Sequence, residues 1–115
     1  MELGNPGEMR DRLTGLVVDG VKVATAGLAD DYEDEELEHV GEHLIIVDSA
    51  GDRLCEIEVT GVEVVPFAEV TWEFAQTEGE GFRSIDHWRE AHRRFFGPIA
   101  TDDAKTVCIH FHVVG

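Results

Sequence analysis

Residues 53–65 form the longest strand-like stretch of the chain, and they constrain its fold more than any other feature. Apolar and polar side chains alternate around Ile57 and Val59, so one side of this stretch faces a core and the other faces water. Gly61 marks a β-bulge, at which a strand this long bends as it must in a small barrel. Pro66 then ends the pairing because proline cannot donate a ladder hydrogen bond. A strongly bent antiparallel sheet is therefore expected.

The other patterned segments complete an α+β chain, with about five mostly antiparallel strands and three helices inserted between them. Turn residues at 49–52 predict a hairpin between two of the strands. Ser84 is placed to cap the last helix, and Gly97 and Pro98 end it. The acidic run at 29–38 predicts a solvated connection that would serve as a lid. The predicted helices cover about residues 7–19, 69–75 and 84–96, and the predicted strands cover about residues 21–26, 43–48, 53–65 and 105–114.

The length of 115 residues and the net charge of -16 describe a single domain, residues 1–115, with one core. The excess of acid repels polyanions, which weighs against extended nucleic-acid binding and favours a small, neutral or cationic ligand. A solvated acidic surface explains the charge, and a high-salt host is the alternative. No apolar run approaches the roughly 18 residues that span a bilayer, and no signal peptide is evident, so a cytoplasmic protein without a membrane or obligate protein partner is expected. Cys55 and Cys108 are expected to be reduced, buried thiols.

A set of short motifs occurs in a fixed order along nearly the whole chain. The motifs are Gly20-x-Lys22-x-x-Thr25, Leu28, Val40-Gly41, Ala75-x-x-Glu78-Gly79-Glu80-Gly81 and Ser84-x-x-x-Trp88-Arg89-x-x-His92-x-x-Phe95-Phe96. In this order and spacing they resemble the ASCH domain family. More closely, the chain is similar to bacterial members in which the stretch matching residues 20–28 reads Gly-x-Lys-Thr-Ala-Thr-Thr-Ser-Leu. The resemblance implies a small, partly open PUA-like β-barrel with flanking helices, and a cleft into which the Gly-x-Lys motif points.

The resemblance also implies chemistry on RNA or on modified nucleosides. One small bacterial member is an amidohydrolase that deacetylates N4-acetylcytidine, and another member is described as a ribonuclease. The amidohydrolase motif maps onto Lys22 and Thr25. Its glutamate maps onto Glu78 when counted from the preceding helix, and onto Glu80 when counted back from Ser84. The chain departs from the family pattern by lacking the usual hydroxyl residues beside the motif, at Val23, Ala26 and Gly27.

Amide hydrolysis by this motif needs a nucleophile, a base that activates it and donors for the developing oxyanion. Thr25 would be the nucleophile and Lys22 its base, which requires the pKa of a lysine to fall from about 10.4 toward neutrality in a dry cleft. Glu78 or Glu80 would orient the lysine or protonate the leaving amine. Residues three apart on a strand face opposite sides, so Lys22 and Thr25 converge only where the backbone turns at residues 23–24. The alternative to a catalytic role is that Lys22 is an ordinary surface charge and that both glutamates are solvated residues of a turn.

The last predicted helix carries the main cluster of positive charge, which would steer a phosphate or an RNA backbone toward the cleft. The alternative is a helix whose basic residues favour the macrodipole near its C-terminus. Its aromatic side chains would offer a base a stacking platform or would pack in the core. The basic cluster comprises His87, Arg89, His92, Arg93 and Arg94. The expected substrate-binding residues are Gly20, Arg83, Trp88, Arg89 and His92.

The last predicted strand carries three potential ligands of a transition metal at every second position, and therefore on one face: Cys108, His110 and His112. Three ligands along one strand point in parallel rather than converging, so no metal and no cofactor is predicted. The favoured function is the binding of a nucleoside or RNA-related ligand in the cleft, with hydrolysis of the linear amide of an N-acylated cytidine such as N4-acetylcytidine. The alternatives are an RNA-binding module without catalysis, for short single-stranded RNA, and a metal-independent ribonuclease.

Overall fold

The computed structural model describes residues 1–114, and every predicted helix and strand is present there with ends that differ by up to three residues. The helices are α1 (Glu8–Val18), α2 (Trp72–Thr77) and α3 (Ile85–Phe96). The strands are β1 (Ala24–Leu28), β2 (His43–Val47), β3 (Arg53–Pro66) and β4 (Lys105–Val114). Short 3₁₀ helices follow β1 and β3 at Ala29–Tyr32 and Phe67–Glu69. No helix in the described range is long and apolar enough to cross a membrane.

Neighbouring strands of the sheet run antiparallel in the order β1-β4-β3-β2. Residues 1–114 contain the four strands whose ranges were predicted, one fewer than the expected total of about five. The register of β3 against β4 shifts between Val59 and Gly61, at the glycine that predicted the bulge. The sheet curls into a half-barrel flanked by helices, so the predicted α+β class is confirmed.

The two faces of the curled sheet pack against different helices. On β4, alternate residues point to opposite faces. Val107, Ile109 and Phe111 belong to a cluster that includes Leu13 and Val17 of α1. Cys108 belongs to a second cluster, which includes residues of α2 and α3. The largest members of that second cluster are Phe67, Phe74 and Trp88. The edge strand β1 therefore lies between α1 on one face and α3 on the other.

Side-chain caps set the starts of α2 and α3. The Thr71 hydroxyl accepts a hydrogen bond from the Phe74 N–H at 3.1 Å, so α2 begins at Trp72 rather than at residue 69. The Ser84 hydroxyl accepts a hydrogen bond from the His87 N–H at 3.1 Å, which is the predicted cap of α3. The Ser84 cap fixes the end of the loop between α2 and α3, and that loop carries the two glutamates of the motif.

Candidate functional site

The backbone of Lys22 lies outside the sheet, in a segment held between two helices. The N–H groups of Val21 and Lys22 both donate to the Leu16 carbonyl, at 2.9 and 3.1 Å. The N–H of Val23 donates to the Thr77 carbonyl at 3.0 Å, which fixes the segment to the end of α2. β1 therefore begins three residues later than predicted, and strand alternation starts only after Lys22. The Val23 carbonyl already accepts from the Phe111 N–H at 3.0 Å and Ala24 is in β1, so the turn expected at residues 23–24 is not found there.

The Lys22 ammonium group is buried between two carboxylates. Its side chain is 1% exposed. Nζ donates to Glu80 Oε2 at 2.8 Å and to Glu78 Oε2 at 3.2 Å. Both glutamates that were alternatives in the sequence contact the lysine, so the three side chains form one charge cluster. Lys22 is therefore not an ordinary surface charge.

Glu78 lies at the centre of a buried hydrogen-bond network. Trp88 Nε1 donates to Glu78 Oε1, and His92 Nε2 lies 3.5 Å from the same oxygen. His92 Nδ1 lies 2.9 Å from the Trp88 carbonyl oxygen, which only accepts, so Nδ1 carries a hydrogen and Nε2 faces the carboxylate. The indole and imidazole rings stack with centroids 4.0 Å apart. This network orients the second carboxylate oxygen of Glu78 toward Lys22.

The pKa values of the two glutamates are shifted in opposite directions. Burial raises the pKa of Glu78, but the hydrogen bond from His92, the charges of Lys22 and His92 and the hydrogen bond from Trp88 outweigh burial and lower it to about 2. Burial also raises the pKa of Glu80, and there it prevails over the opposing charge of Lys22, with the negative charge of Glu78 adding to it. Glu78 is therefore the permanently ionised partner, and Glu80 is the carboxylate suited to exchange a proton.

Gly79 allows the loop between α2 and α3 to lie directly against the lysine segment. Its φ is 65°, and a Cβ built on it would lie 2.3 Å from the Val21 carbonyl oxygen. A side chain at this position would therefore push the loop away from the backbone of residues 21–22. From the other side, the Arg12 guanidinium donates to the Glu80 carbonyl at 2.8 Å. The two contacts hold Glu78 and Glu80 on either side of Lys22.

The charge cluster opens into a cleft beyond the free edge of β1. The cavity measures about 120 Å³. Thr25 lines it together with the three residues of the charge cluster, so the structure brings all four predicted catalytic residues to one cavity. The walls come from the N-terminal segment and α1 on one side and from α3 and the loop before it on the other. They are mainly apolar and include Leu3, Leu13, Phe82, Phe95 and Phe96.

His92 is the one member of the five predicted substrate-binding residues that lines this cavity. Gly20 is exposed and follows α1 with a φ of 76°. Arg83 is exposed on the loop before α3. Trp88 is fully buried behind His92, so its indole face is not available to stack on a base. Arg89 points away from the cleft toward the segment after β3, where it donates to main-chain carbonyls at 3.0 and 3.4 Å.

Carboxylates neutralise much of the positive charge on α3. Arg93 pairs with Asp102 at 2.7 Å, and Arg94 pairs with Glu90 one turn earlier. An arginine whose charge is already paired attracts a phosphate less strongly, because the nearby carboxylate repels the same phosphate. The exposed part of α3 therefore offers a polyanion less attraction than the sequence alone indicated.

The cysteines and the histidines of β4 take structural positions. Cys108 is buried, and burial together with two nearby carboxylates raises the pKa of its thiol to about 12. Cys55 is half-buried rather than buried, and both thiols are free. His110 packs edge-on against Phe74 with centroids 5.3 Å apart. His112 lies on the exposed side of the sheet beside Glu58. Within residues 1–114, no group of three or more His, Cys, Asp or Glu side chains is placed to hold a metal ion.

The N-terminal segment contributes a wall of the cleft that the sequence did not reveal. Leu3 is 4% exposed, and the buried Arg10 guanidinium donates to the carbonyls of Leu3 and Gly4 at 3.1 Å each. Gly4 has a φ of 58°, and a Cβ there would lie 2.8 Å from Met9 Sδ. A single leucine and a single glycine before a helix form no periodic pattern. Gly4 was therefore the only feature of this segment in the sequence that could have indicated a special conformation.

We expect Glu78→Gln and Glu80→Gln to affect stability differently. The pKa of Glu78 is lower in the folded than in the unfolded chain, so its stabilisation is present above about pH 4.3 and is lost as the pH falls toward 2. The pKa of Glu80 is higher in the folded than in the unfolded chain, so ionisation of Glu80 lowers the free energy of unfolding as the pH rises. Glu78→Gln should therefore lose about 2 kcal/mol at pH 7, while Glu80→Gln should be neutral or slightly stabilising. Urea unfolding at pH 7 and pH 3 measures both, and equal losses at pH 7 would contradict the assignment.

These features define a class of protein, namely an α+β domain with a curled antiparallel sheet and a buried lysine–carboxylate cluster in a cleft at the edge strand. The family model for the ASCH domain matches residues 1–115, and the chain belongs to the ASCH domain family. The predicted family and the PUA-like half-barrel are thereby confirmed. This family is broadly related to RNA.

Two solved structures are similar to the chain over almost its whole length. One is the crystal structure of a protein from Enterococcus faecalis assigned to the family model DUF984, with 38% identity and a TM-score of 0.88 over 98% of this chain and 74% of that one. The other is the crystal structure of an ASCH domain from Lactobacillus crispatus, with 29% identity and a TM-score of 0.89 over 98% of this chain and 77% of that one. No curated protein matches the chain significantly.

Proposed function

We propose that the cleft beside Lys22 binds a nucleoside and hydrolyses the amide of an N-acylated cytidine such as N4-acetylcytidine. The observation that carries this proposal is the buried Lys22 ammonium between two carboxylates whose pKa values are shifted in opposite directions. Two carboxylates with unlike pKa values are typical of acid–base chemistry, because one stays charged while the other exchanges a proton. The hydroxyl-bearing Thr25 lines the same cavity, and the motif's similarity to the family's amidohydrolase supports the choice of reaction.

In the proposed reaction Thr25 is the nucleophile. Its oxygen forms a bond to the acyl carbon while its proton passes to ionised Glu80, and the carbonyl becomes an oxyanion. The bond from carbon to the exocyclic nitrogen then breaks, and Glu80 returns the proton to that nitrogen, so that cytidine leaves. Water attacks the acyl-threonine ester next and gives a proton to Glu80. The ester bond breaks, Thr25 recovers its proton from Glu80, and the acyl group leaves as the carboxylic acid.

Lys22 takes a different role from the one predicted from sequence. Lys22 Nζ donates hydrogen bonds to both carboxylates, at 3.2 and 2.8 Å, so it is engaged as a donor and not as a base. A buried, charged ammonium is suited to stabilise the oxyanion that develops on the acyl oxygen. Glu78 stays ionised, positions Lys22 and offsets the charge of the ammonium. The base is therefore Glu80, whose raised pKa favours proton exchange more than that of Glu78 does.

The lining of the cleft and the charge around it favour a nucleoside over a longer RNA as the ligand. The cavity of about 120 Å³ is closed on two sides by apolar and aromatic walls, to which a planar base can stack or pack. A net charge of -16 repels a long polyanion but acts weakly on an uncharged nucleoside. The ion pairs of Arg93 and Arg94 reduce the charge that would otherwise attract an RNA backbone. These observations favour the nucleoside over a longer RNA.

The proposal is tested by incubating the purified protein with N4-acetylcytidine, cytidine and other N-acylated nucleosides, with chromatography and mass detection of the products. The wild-type protein should release cytidine and acetate from N4-acetylcytidine. Thr25→Val has nearly the same shape but no hydroxyl, and it should lower turnover by at least about a thousandfold. The matched variant Thr25→Ser keeps the hydroxyl and should retain measurable turnover.

Both variants should keep the fold, since Thr25 is only partly buried. Equal turnover by wild type and Thr25→Val would remove the threonine from the reaction. Absence of turnover by wild type at high protein concentration, together with salt-dependent binding of single-stranded RNA, would replace the enzyme with an RNA-binding domain.

A further inference from the structure

The free edge of β1 presents the unpaired main-chain N–H and C=O groups of one residue to the cleft. β1 is an edge strand, and its partner in the sheet is β4. The N–H of Phe111 donates to the Val23 carbonyl at 3.0 Å, in the same register that pairs Thr25 with Ile109. Hydrogen-bonded and non-hydrogen-bonded pairs alternate along an antiparallel ladder. The N–H and C=O groups of Thr25 and Gly27 therefore point toward β4, and those of Ala26 point away from it.

The outward groups of Ala26 open onto a continuous groove. Thr25 and Ala26 have side chains on opposite faces of the sheet, yet both line the cavity beside Lys22. Both also line a second cavity of about 260 Å³, which extends along β1 to Gly27 and Tyr32. A groove lined by consecutive residues of one strand runs along the strand's edge rather than over one of its faces. Within residues 1–114, the N–H and C=O groups of Ala26 have no hydrogen-bond partner.

The open part of the edge is one residue long. Ala24, Ala26 and Leu28 are the residues of β1 whose main-chain groups point outward. Ala24 is fully buried and Leu28 is 1% exposed, whereas Ala26 is half-buried. A peptide that extends a sheet forms hydrogen bonds with the outward main-chain groups at every second residue of the edge strand. It therefore needs several such residues that are all open to solvent. A single outward donor and acceptor instead suits one planar ring that carries an acceptor and a donor on one edge.

We propose that the main-chain N–H and C=O groups of Ala26 recognise the base of the ligand, an inference that rests on the nucleoside function proposed above. The N–H would donate to the ring nitrogen beside the exocyclic amine of cytosine, and the C=O would accept from the exocyclic N–H. Hydrogen bonds to this edge are the usual way in which proteins identify an unpaired base. An N-acylated cytosine keeps both groups, and uracil has a donor where cytosine has the ring acceptor. Ala26 is thus a specificity-determining residue that acts through its backbone.

The first test measures amide hydrogen exchange by NMR in the free protein and with saturating cytidine, which has no acyl group to lose. In the free protein the Ala26 amide should exchange at least about tenfold faster than the ladder amides of Thr25 and Gly27. Cytidine should slow the exchange of Ala26 selectively. A protected Ala26 amide in the free protein, or one that cytidine leaves unchanged, would overturn the inference.

The second test pairs Ala26→Pro with two altered nucleosides. Proline removes the N–H on the unpaired side of an edge strand, where no ladder hydrogen bond is lost, and Ala26→Gly is the control that keeps the N–H. The wild-type protein should bind cytidine about tenfold more tightly than 3-deazacytidine, which lacks the ring acceptor, or N4,N4-dimethylcytidine, which lacks the donor. Ala26→Pro should bind cytidine and 3-deazacytidine equally. If Ala26→Pro does not fold, the exchange measurement decides.

The two proposals fail in different ways. If wild-type protein binds cytidine, but neither analogue nor Ala26→Pro changes the affinity, base recognition by Ala26 is overturned and the nucleoside function stands. If wild-type protein binds neither cytidine nor N4-acetylcytidine, the nucleoside function fails first and the role of Ala26 fails with it.

Discussion

Lys22→Ala should lower the free energy of unfolding by about 3 kcal/mol or more at pH 7. The variant leaves two carboxylates in the cluster without their shared counterion, and Glu78 among them is only 2% exposed. Removing one partner of a buried ion pair is far more costly than removing an exposed charge, because the remaining charge stays desolvated. The loss should be largest at neutral pH and should shrink as the pH falls toward 2, where Glu78 becomes protonated. Urea unfolding across this pH range measures the effect.

Lys105→Ala is the matched control, since Lys105 is exposed at the start of β4. Its free energy of unfolding should change by less than about 0.5 kcal/mol. A stable Lys22→Ala protein would contradict the buried charge cluster. The expected instability also means that lost activity in Lys22→Ala does not by itself establish a catalytic role. Variants at Thr25 and Glu80 are better suited to that purpose.

Gly79→Ala should destabilise the protein by at least about 3 kcal/mol and should abolish ligand binding. An alanine Cβ would lie 2.3 Å from the Val21 carbonyl oxygen, and the φ of 65° is strained for any residue with a side chain. The loop must therefore move, and Glu78 and Glu80 must move with it. Thermal unfolding and a nucleoside titration measure the two effects.

Gly81→Ala provides the comparison two residues further along the same loop. Gly81 has a φ of 85°, but no atom lies within 4 Å of a Cβ built there. Only the backbone conformation is strained in that variant, so its cost should be about 1–2 kcal/mol. Equal effects of the two substitutions would show that the close approach of Gly79 to Val21 contributes nothing.

Much of the fold followed from local patterns in the sequence. Alternation and a single glycine in residues 53–65 predicted both the long strand and the bulge that bends it, because each depends on a few consecutive residues. The cap by Ser84 was predictable for the same reason. α2 begins three residues later than the sequence predicts, because the hydroxyl of Thr71 caps it.

The site was predictable as a set of residues but not as an arrangement. The motif resemblance brought Lys22, Thr25 and the two glutamates together, yet their order of protonation depends on contacts that no local pattern contains. Glu78 is ionised partly because Trp88 donates a hydrogen bond to it and His92 faces the same oxygen. Both of these side chains were predicted from the sequence to bind the substrate. The contact between Gly79 and Val21 joins residues 58 positions apart, so no local pattern in the sequence indicates it.

The role of Glu80 is the central claim, and the deacetylation of N4-acetylcytidine by Glu80→Gln and by wild type at pH 7 tests it most directly. Glutamine keeps the size of the side chain and, since the pKa of Glu80 is raised, costs little stability. Turnover by the folded variant should fall by about a hundredfold to ten-thousandfold, the usual contribution of a general acid–base residue. Undiminished release of cytidine by Glu80→Gln, measured beside an active wild-type protein, would contradict the proposed mechanism.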